Sequence, residues 1–320
     1  MSWSSSPPNL QQARTLHVAS LDSNQNIVVA GGAVNLQTGD AQADDILSST
    51  EIFDGETWSS GPNMNQERVS AASARDSSGN VYVIGGADSD GNLLSSVEYW
   101  DGSTWVNIPD HPVEVQSGYA AFDNEDNLYH FAGGAGQDNI VTNLIYKYDG
   151  SSWSEVGFIP NDKQYEDLIF SGTCVSDDEG DIYLIAGSTV EDNGDQPVLS
   201  QVIKYSSGSF TQVSSISEKK DALGSATVLD GTIYVSGGAI VDKSYKTFES
   251  FDGSSWNLRS DMNQDRAGHQ LVSDSRGRIY AIGGTSVNSN IPSVGDTLSS
   301  VERFNPAPEA PSSVSATERN

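Results

Sequence analysis

Three arginines, Arg14, Arg68 and Arg266, each stand four residues after an apolar side chain: Leu10, Met64 and Met262. They are a third of the nine arginines in the chain. His17 and His269 follow two of them by three residues, with Ala71 in the remaining case. A guanidinium is a rigid fork of donors that matches a carboxylate or sulfate. Gathered on one arc, the three would receive an anion such as an acidic sugar or peptide. The same fork also serves structure, by bonding backbone carbonyls or an acid of the protein itself. The histidines would either titrate beside the arginines or pack as neutral rings.

Other candidates are weaker. Asp88, Asp90 and Asn92 alternate like the oxygen ligands of a calcium loop, but the loop has no glycine at its sixth position and Glu98 falls one place short of the closing acid. A plain turn explains them equally, and Asp192-Asn193-Gly194-Asp195 is a similar acidic tip. His111 and His130 lack paired spacing for zinc. Cys174 is the single cysteine, so no internal disulfide forms, and it reads as a small buried apolar residue. No serine sits in a nucleophile elbow. These residues imply no cofactor and assign no catalytic group.

The elements that must carry these residues repeat six times. Glycine pairs begin at Gly31, Gly85, Gly133, Gly187, Gly237 and Gly283, with Ser188 as the second member of the fourth. The steps of 54, 48, 54, 50 and 46 residues mark an array built from one supersecondary unit. A β-branched and aromatic run precedes each pair, as in Val81-Tyr82-Val83-Ile84. A second run ends in an aromatic, a tight turn and another aromatic, as in Phe53-Asp54-Gly55-Glu56-Thr57-Trp58. A third strand, such as Val69–Ala74, leads to a polar turn. Four strands per unit in hairpins make one blade of a β-propeller. The sixth unit breaks off after Phe304, while Trp3 is followed by Pro8, Leu10 and Arg14 much as Trp58 is by Pro62, Met64 and Arg68. The segment around Trp3 is therefore expected to supply the outer strand of the last blade and close the ring.

The glycine doublets, the spaced aromatic pairs and the arginine before the inner strand resemble the Kelch repeat over residues 3–305. The resemblance implies an all-β, six-bladed propeller of four-stranded antiparallel blades. It also implies that Arg14, His17, Arg68, Arg266 and His269 line one mouth of a central channel, on the consecutive sixth, first and second blades. Val115, Ile169 and Ala222 take the arginine position elsewhere. Kelch propellers include enzymes, sugar-binding proteins and interaction scaffolds, so the resemblance leaves function open.

The chain has 320 residues and a formal net charge of −28, from 44 acids against 16 bases. That field repels nucleic acid and anionic membranes. Scarce lysine and abundant aspartate suggest a salt-adapted source. No apolar run is long enough to span a membrane. A propeller domain over residues 1–305 precedes a proline-rich tail, 306–320, whose Ala310–Thr317 looks like the first strand of a fibronectin type III domain. This reads as a monomeric module of a longer surface or secreted protein, with a cytoplasmic protein as the alternative. Loops 33–49, 87–95, 188–200 and 285–299 vary in length on a constant frame, which is where recognition resides. The expected function is non-enzymatic binding of a protein or an acidic glycan, as in adhesion. The alternative is a sugar-acid mutarotase or epimerase using the arginines.

Overall fold

The computed structural model describes residues 2–34, 45–135, 140–160, 171–188, 198–217, 221–240, 243–287 and 295–306. Over these the chain forms six antiparallel sheets arranged as propeller blades, with a small extra hairpin of Thr285–Val287 on Gly295–Thr297. Blade I is Val18–Leu21, Ile27–Ala30, Thr50–Phe53 and Trp58–Gly61. Blade II is Ala72–Arg75, Val81–Ile84, Val97–Trp100 and Trp105–Ile108. Blades III to V follow the same order, with main strands from Tyr119 to Phe158, Thr173 to Val213 and Asp221 to Leu258.

Blade VI takes Gln270–Ser273, Ile279–Ile282 and Val301–Phe304 from the chain's end, and Trp3–Ser4 from its start. Trp3 pairs with Phe304 and Ser4 with Arg303, so the two ends share one sheet. The core confirms closure independently. It lies between the blades as six apolar clusters, one for each neighbouring pair. Trp3, Phe304, Tyr234 and Phe248 seal blade VI to V, and Tyr280 and Ile282 seal it to Phe53 and Val29 of blade I. Among the described residues, each neighbouring pair of blades is thus sealed face to face by an apolar cluster.

The aromatic pairs pack as the sequence suggests. Phe53 stacks on Trp58 at 5.0 Å, and Tyr205 meets Phe210 at 5.0 Å. Four outer tryptophans also hold the connection arriving from the previous blade. Trp58 donates to the Pro8 carbonyl, Trp153 to Pro109, Trp256 to Ser214 and Trp3 to Ser260, at 2.8–3.0 Å.

The glycine pairs let adjacent blades touch through backbone. Gly32 N–H donates to the Arg68 carbonyl at 2.9 Å, and Gly284 N–H to that of Arg14 at 2.9 Å. A Cβ on Gly31 would lie 2.8 Å from the same Arg68 oxygen. Dihedrals correct the motif in two blades. The left-handed pair is Ala132-Gly133 in blade III and Ala186-Gly187 in blade IV, so an alanine replaces the first glycine and Ser188 lies beyond the pair. The ladder shifts register at both alanines.

Candidate functional site: the loop-face mouth

Each first strand runs inward from a connection on one face to a short turn on the other. The glycine pairs and the described residues from which the variable loops leave share the first face, called here the loop face. The opposite face carries the Asp-Gly turns.

On the loop face the six connections converge as a collar. Leu16, Ser70, Ser117 and Ser171 occupy the same step in blades I to IV, and all have φ between 53° and 66°. Gly268 holds that place in blade VI at 61°. Left-handed geometry costs a non-glycine residue roughly 1 kcal/mol, so its recurrence needs compensation. The compensation is a relay of backbone hydrogen bonds from blade to blade. Leu16 N–H donates to the Gly268 carbonyl, Ser70 to Leu16, Ser117 to Ser70 and Ser171 to Ser117, at 2.8–3.2 Å. The collar narrows the mouth to a cavity of about 80 Å³, lined by these residues together with His17 and His269.

Arg14, Arg68 and Arg266 do fall on consecutive blades VI-adjacent I, II and VI, but each side chain is directed into its own blade. Arg14 Nη2 meets Glu51 Oε1 at 2.9 Å, Arg68 Nη2 meets Glu98 Oε1 at 2.8 Å, and Arg266 Nη2 meets Glu302 Oε1 at 3.0 Å. Nη1 of each bonds two carbonyls, those of Gly31 and Ser49, Gly85 and Ser96, and Gly283 and Ser300. The three are at most 1% exposed. Burial lowers each guanidinium pKa, and the paired glutamate opposes the shift. Each glutamate also caps two backbone N–H groups of the incoming connection, for instance Glu98 those of Asn65 and Gln66. The arrangement is an internal clamp that fixes the connection to the third strand.

These glutamates are functional partners that the arginine spacing alone did not reveal. A signal was present: Glu51, Glu98 and Glu302 each stand two residues before the blade aromatic, in the blades that carry the arginine. In blades III and IV the position holds Tyr146 and Ile203, opposite Val115 and Ile169. Ile169 lies outside the described residues. Blade V keeps Glu249, which accepts the Ser217 N–H, while Ala222 replaces the arginine.

His17 and His269 are buried in equivalent places. Each ring lies over the first glycine of the preceding blade, His17 over Gly283 and His269 over Gly237. His269 Nε2 is 2.8 Å from Ser236 Oγ. The residue matching Ser236 beside His17 is Ile282, and among the described residues neither His17 ring nitrogen has a hydrogen-bond partner. Burial, aided by the charge of Arg14, holds the His17 pKa down to about 3. His17 is therefore neutral.

His111 takes the apolar anchor position of Leu10, Met64 and Met262. It packs edge-on against His130, Tyr146 and Trp153 at 4.7–4.9 Å. Burial lowers its pKa to about 4 and that of His130 well below the usual range. Cys174 is only partly buried, on the strand that lines the channel, and not a fully buried core residue; it donates to the Ala120 carbonyl, and desolvation pushes its thiol up to about 12. Asp88 is occupied within its own turn, where Oδ1 accepts the Asp90 and Asn92 N–H groups and Oδ2 the Asn92 side chain. Asp192–Asp195 and the tail from 307 lie outside the described residues.

The Kelch motif family matches residues 77–112, which cover most of blade II. Among curated proteins no sequence match is found. Among solved structures, one titled "Structure of YjhT" superposes with a TM-score of 0.70 at 14% identity, covering 92% of this chain and 95% of that one. Such a likeness shows the fold and no more. In all, 546 solved chains match, a breadth that by itself points to no one function.

Proposed function

The chain is a Kelch-repeat six-bladed β-propeller, and on that premise we propose that it is a non-enzymatic recognition module. It binds a protein or glycan ligand through the loop face, as one domain of a surface or secreted protein. The observation that supports this reading is the state of Arg14, Arg68 and Arg266. Their forks are directed at internal glutamates and carbonyls, and their exposure is 1% or less. An enzyme that held a sugar acid through these arginines would need their forks open to the substrate. What the clamps do instead is hold the base from which the variable loops leave, and loops on a rigid base are suited to recognition.

The test is a glycan and protein-ectodomain binding array with three proteins: the wild type, a variant with residues 35–44 and 88–92 replaced by glycine and serine, and the paired variant Arg68→Val/Glu98→Tyr. A ligand bound by the wild type and the paired variant but lost by the loop variant supports loop-face recognition. A ligand kept by the loop variant and lost by the paired variant returns the role to the arginines.

A further inference from the structure

The channel itself carries a second feature, independent of the loop-face reading. Its cavity of about 380 Å³ is lined by the first strands of all six blades. Each first strand pairs on one side only, so its free edge faces the channel. Among the described residues that line it, Arg75 alone is charged, in a chain where acids outnumber bases 44 to 16. Corresponding positions hold Leu21, Phe122, Ser176, Leu229 and Ser273.

Arg75 ends its strand at the turn-face mouth and is exposed. Nε donates to the Leu21 carbonyl of blade I at 2.6 Å, which fixes the plane of the fork. Among the described residues no carboxylate forms an ion pair with it. The acids nearby are engaged elsewhere. Asp76 accepts from the Asn80 backbone and side chain at 2.8 and 2.7 Å. Asp22, fully buried, accepts from Asn24 N–H, Asn26 N–H and Trp100 Nε1. Asp126 of blade III is bonded by the Ser77 N–H and hydroxyl. Nη2 lies beside Gly79 of the same turn, and Arg75 is the one charged side chain among the otherwise neutral, partly hydroxylated described residues that line the channel.

We infer that the turn-face mouth of the channel binds a small organic carboxylate through Arg75. The wall selects the rest of the molecule. Leu21, Phe122 and Val228 offer apolar contact, while Ser176 and Ser273 add hydroxyls. A single negative charge suits the site, because the net charge of −28 penalises each further one. The carboxylate belongs either to a free acid or to a peptide C-terminus.

Isothermal titration distinguishes these sources. The probes are butyrate, benzoate, and an acetylated tripeptide Gly-Ala-Leu as the free acid and as the amide, with butyramide as the uncharged control. The expected result is saturable binding of at least one acid, no binding of its amide, and at least tenfold weaker affinity in Arg75→Gln. Binding of butyrate or benzoate without the peptide assigns a free acid, and binding of the peptide acid alone assigns a C-terminus. No binding of any acid, equal binding of acid and amide by the wild type, or unchanged affinity in Arg75→Gln overturns the inference. The acid-against-amide comparison uses unmodified protein and stands even if the variant folds poorly.

Discussion

Arg68 Nη2 lies 2.8 Å from Glu98 Oε1, with both side chains 1% exposed, and the same contact recurs in blades I and VI. Such a pair is costly to desolvate and costlier to break. Blade III meets the same need with Val115 and Tyr146. Arg68→Val alone is expected to cost about 3–5 kcal/mol, because it strands a buried carboxylate. Adding Glu98→Tyr should recover part of that loss. Urea unfolding of the two single variants and the double gives the coupling. Strictly additive losses would remove the clamp interpretation.

His17 gives a pH dependence with a definite sign. Its pKa is about 3 in the folded protein and near 6.5 unfolded. Between those values the unfolded chain binds a proton that the native state refuses, so acid favours unfolding. The wild type should lose about 1.4 kcal/mol per pH unit from this group as pH falls below about 6. His17→Leu removes that slope, and the difference between the two proteins cancels the effect of the carboxylates. Parallel stability curves from pH 7.5 to 5 would contradict the assignment.

Gly85 has φ +61°, and a Cβ there would collide with the Val115 carbonyl of the next blade. Gly85→Ala should cost about 2–4 kcal/mol, from left-handed strain plus overpacking. The equivalent Ala132 already tolerates φ +53°. Ala132→Gly should therefore be nearly neutral. Equal losses in the two variants, measured by thermal unfolding, would mean that blade contact is not the cause.

The fold was legible because its signals are local and repeated: the period near fifty, the glycine pairs, and Trp3 as the missing aromatic of the sixth unit. Dihedrals were less legible. Gly133-Gly134 reads as a doublet, yet the left-handed pair is Ala132-Gly133, because an alanine in that conformation leaves no mark in composition. The candidate site was legible in position and not in orientation. Spacing brought Arg14, Arg68 and Arg266 to consecutive blades. Which way each fork turns depends on Glu51, Glu98 and Glu302, which are 30 to 37 residues away. Arg75 was silent in sequence, since one arginine before a turn acquires meaning only when the other five blades line up beside it.

The aspartate excess is partly turn chemistry. Asp54, Asp101, Asp149 and Asp252 each accept two backbone N–H groups of their own turn, and these bonds lower each carboxyl pKa. The remaining acids repel one another across a surface carrying few bases. Thermal stability is expected to rise steeply from low to molar salt. A flat curve in sodium chloride would remove salt adaptation from the picture.

Recognition without chemistry is tested most directly by proton NMR of the unmodified protein with a panel of sugar acids and neutral sugars, followed over hours. The expected spectra show at most reversible line broadening of a bound sugar, with anomeric and epimeric ratios relaxing at the rate of the protein-free control. Accelerated interconversion or new resonances, abolished by Arg14→Ala or Arg68→Ala variants that remain folded, would contradict the proposal and make the loop-face mouth an active site.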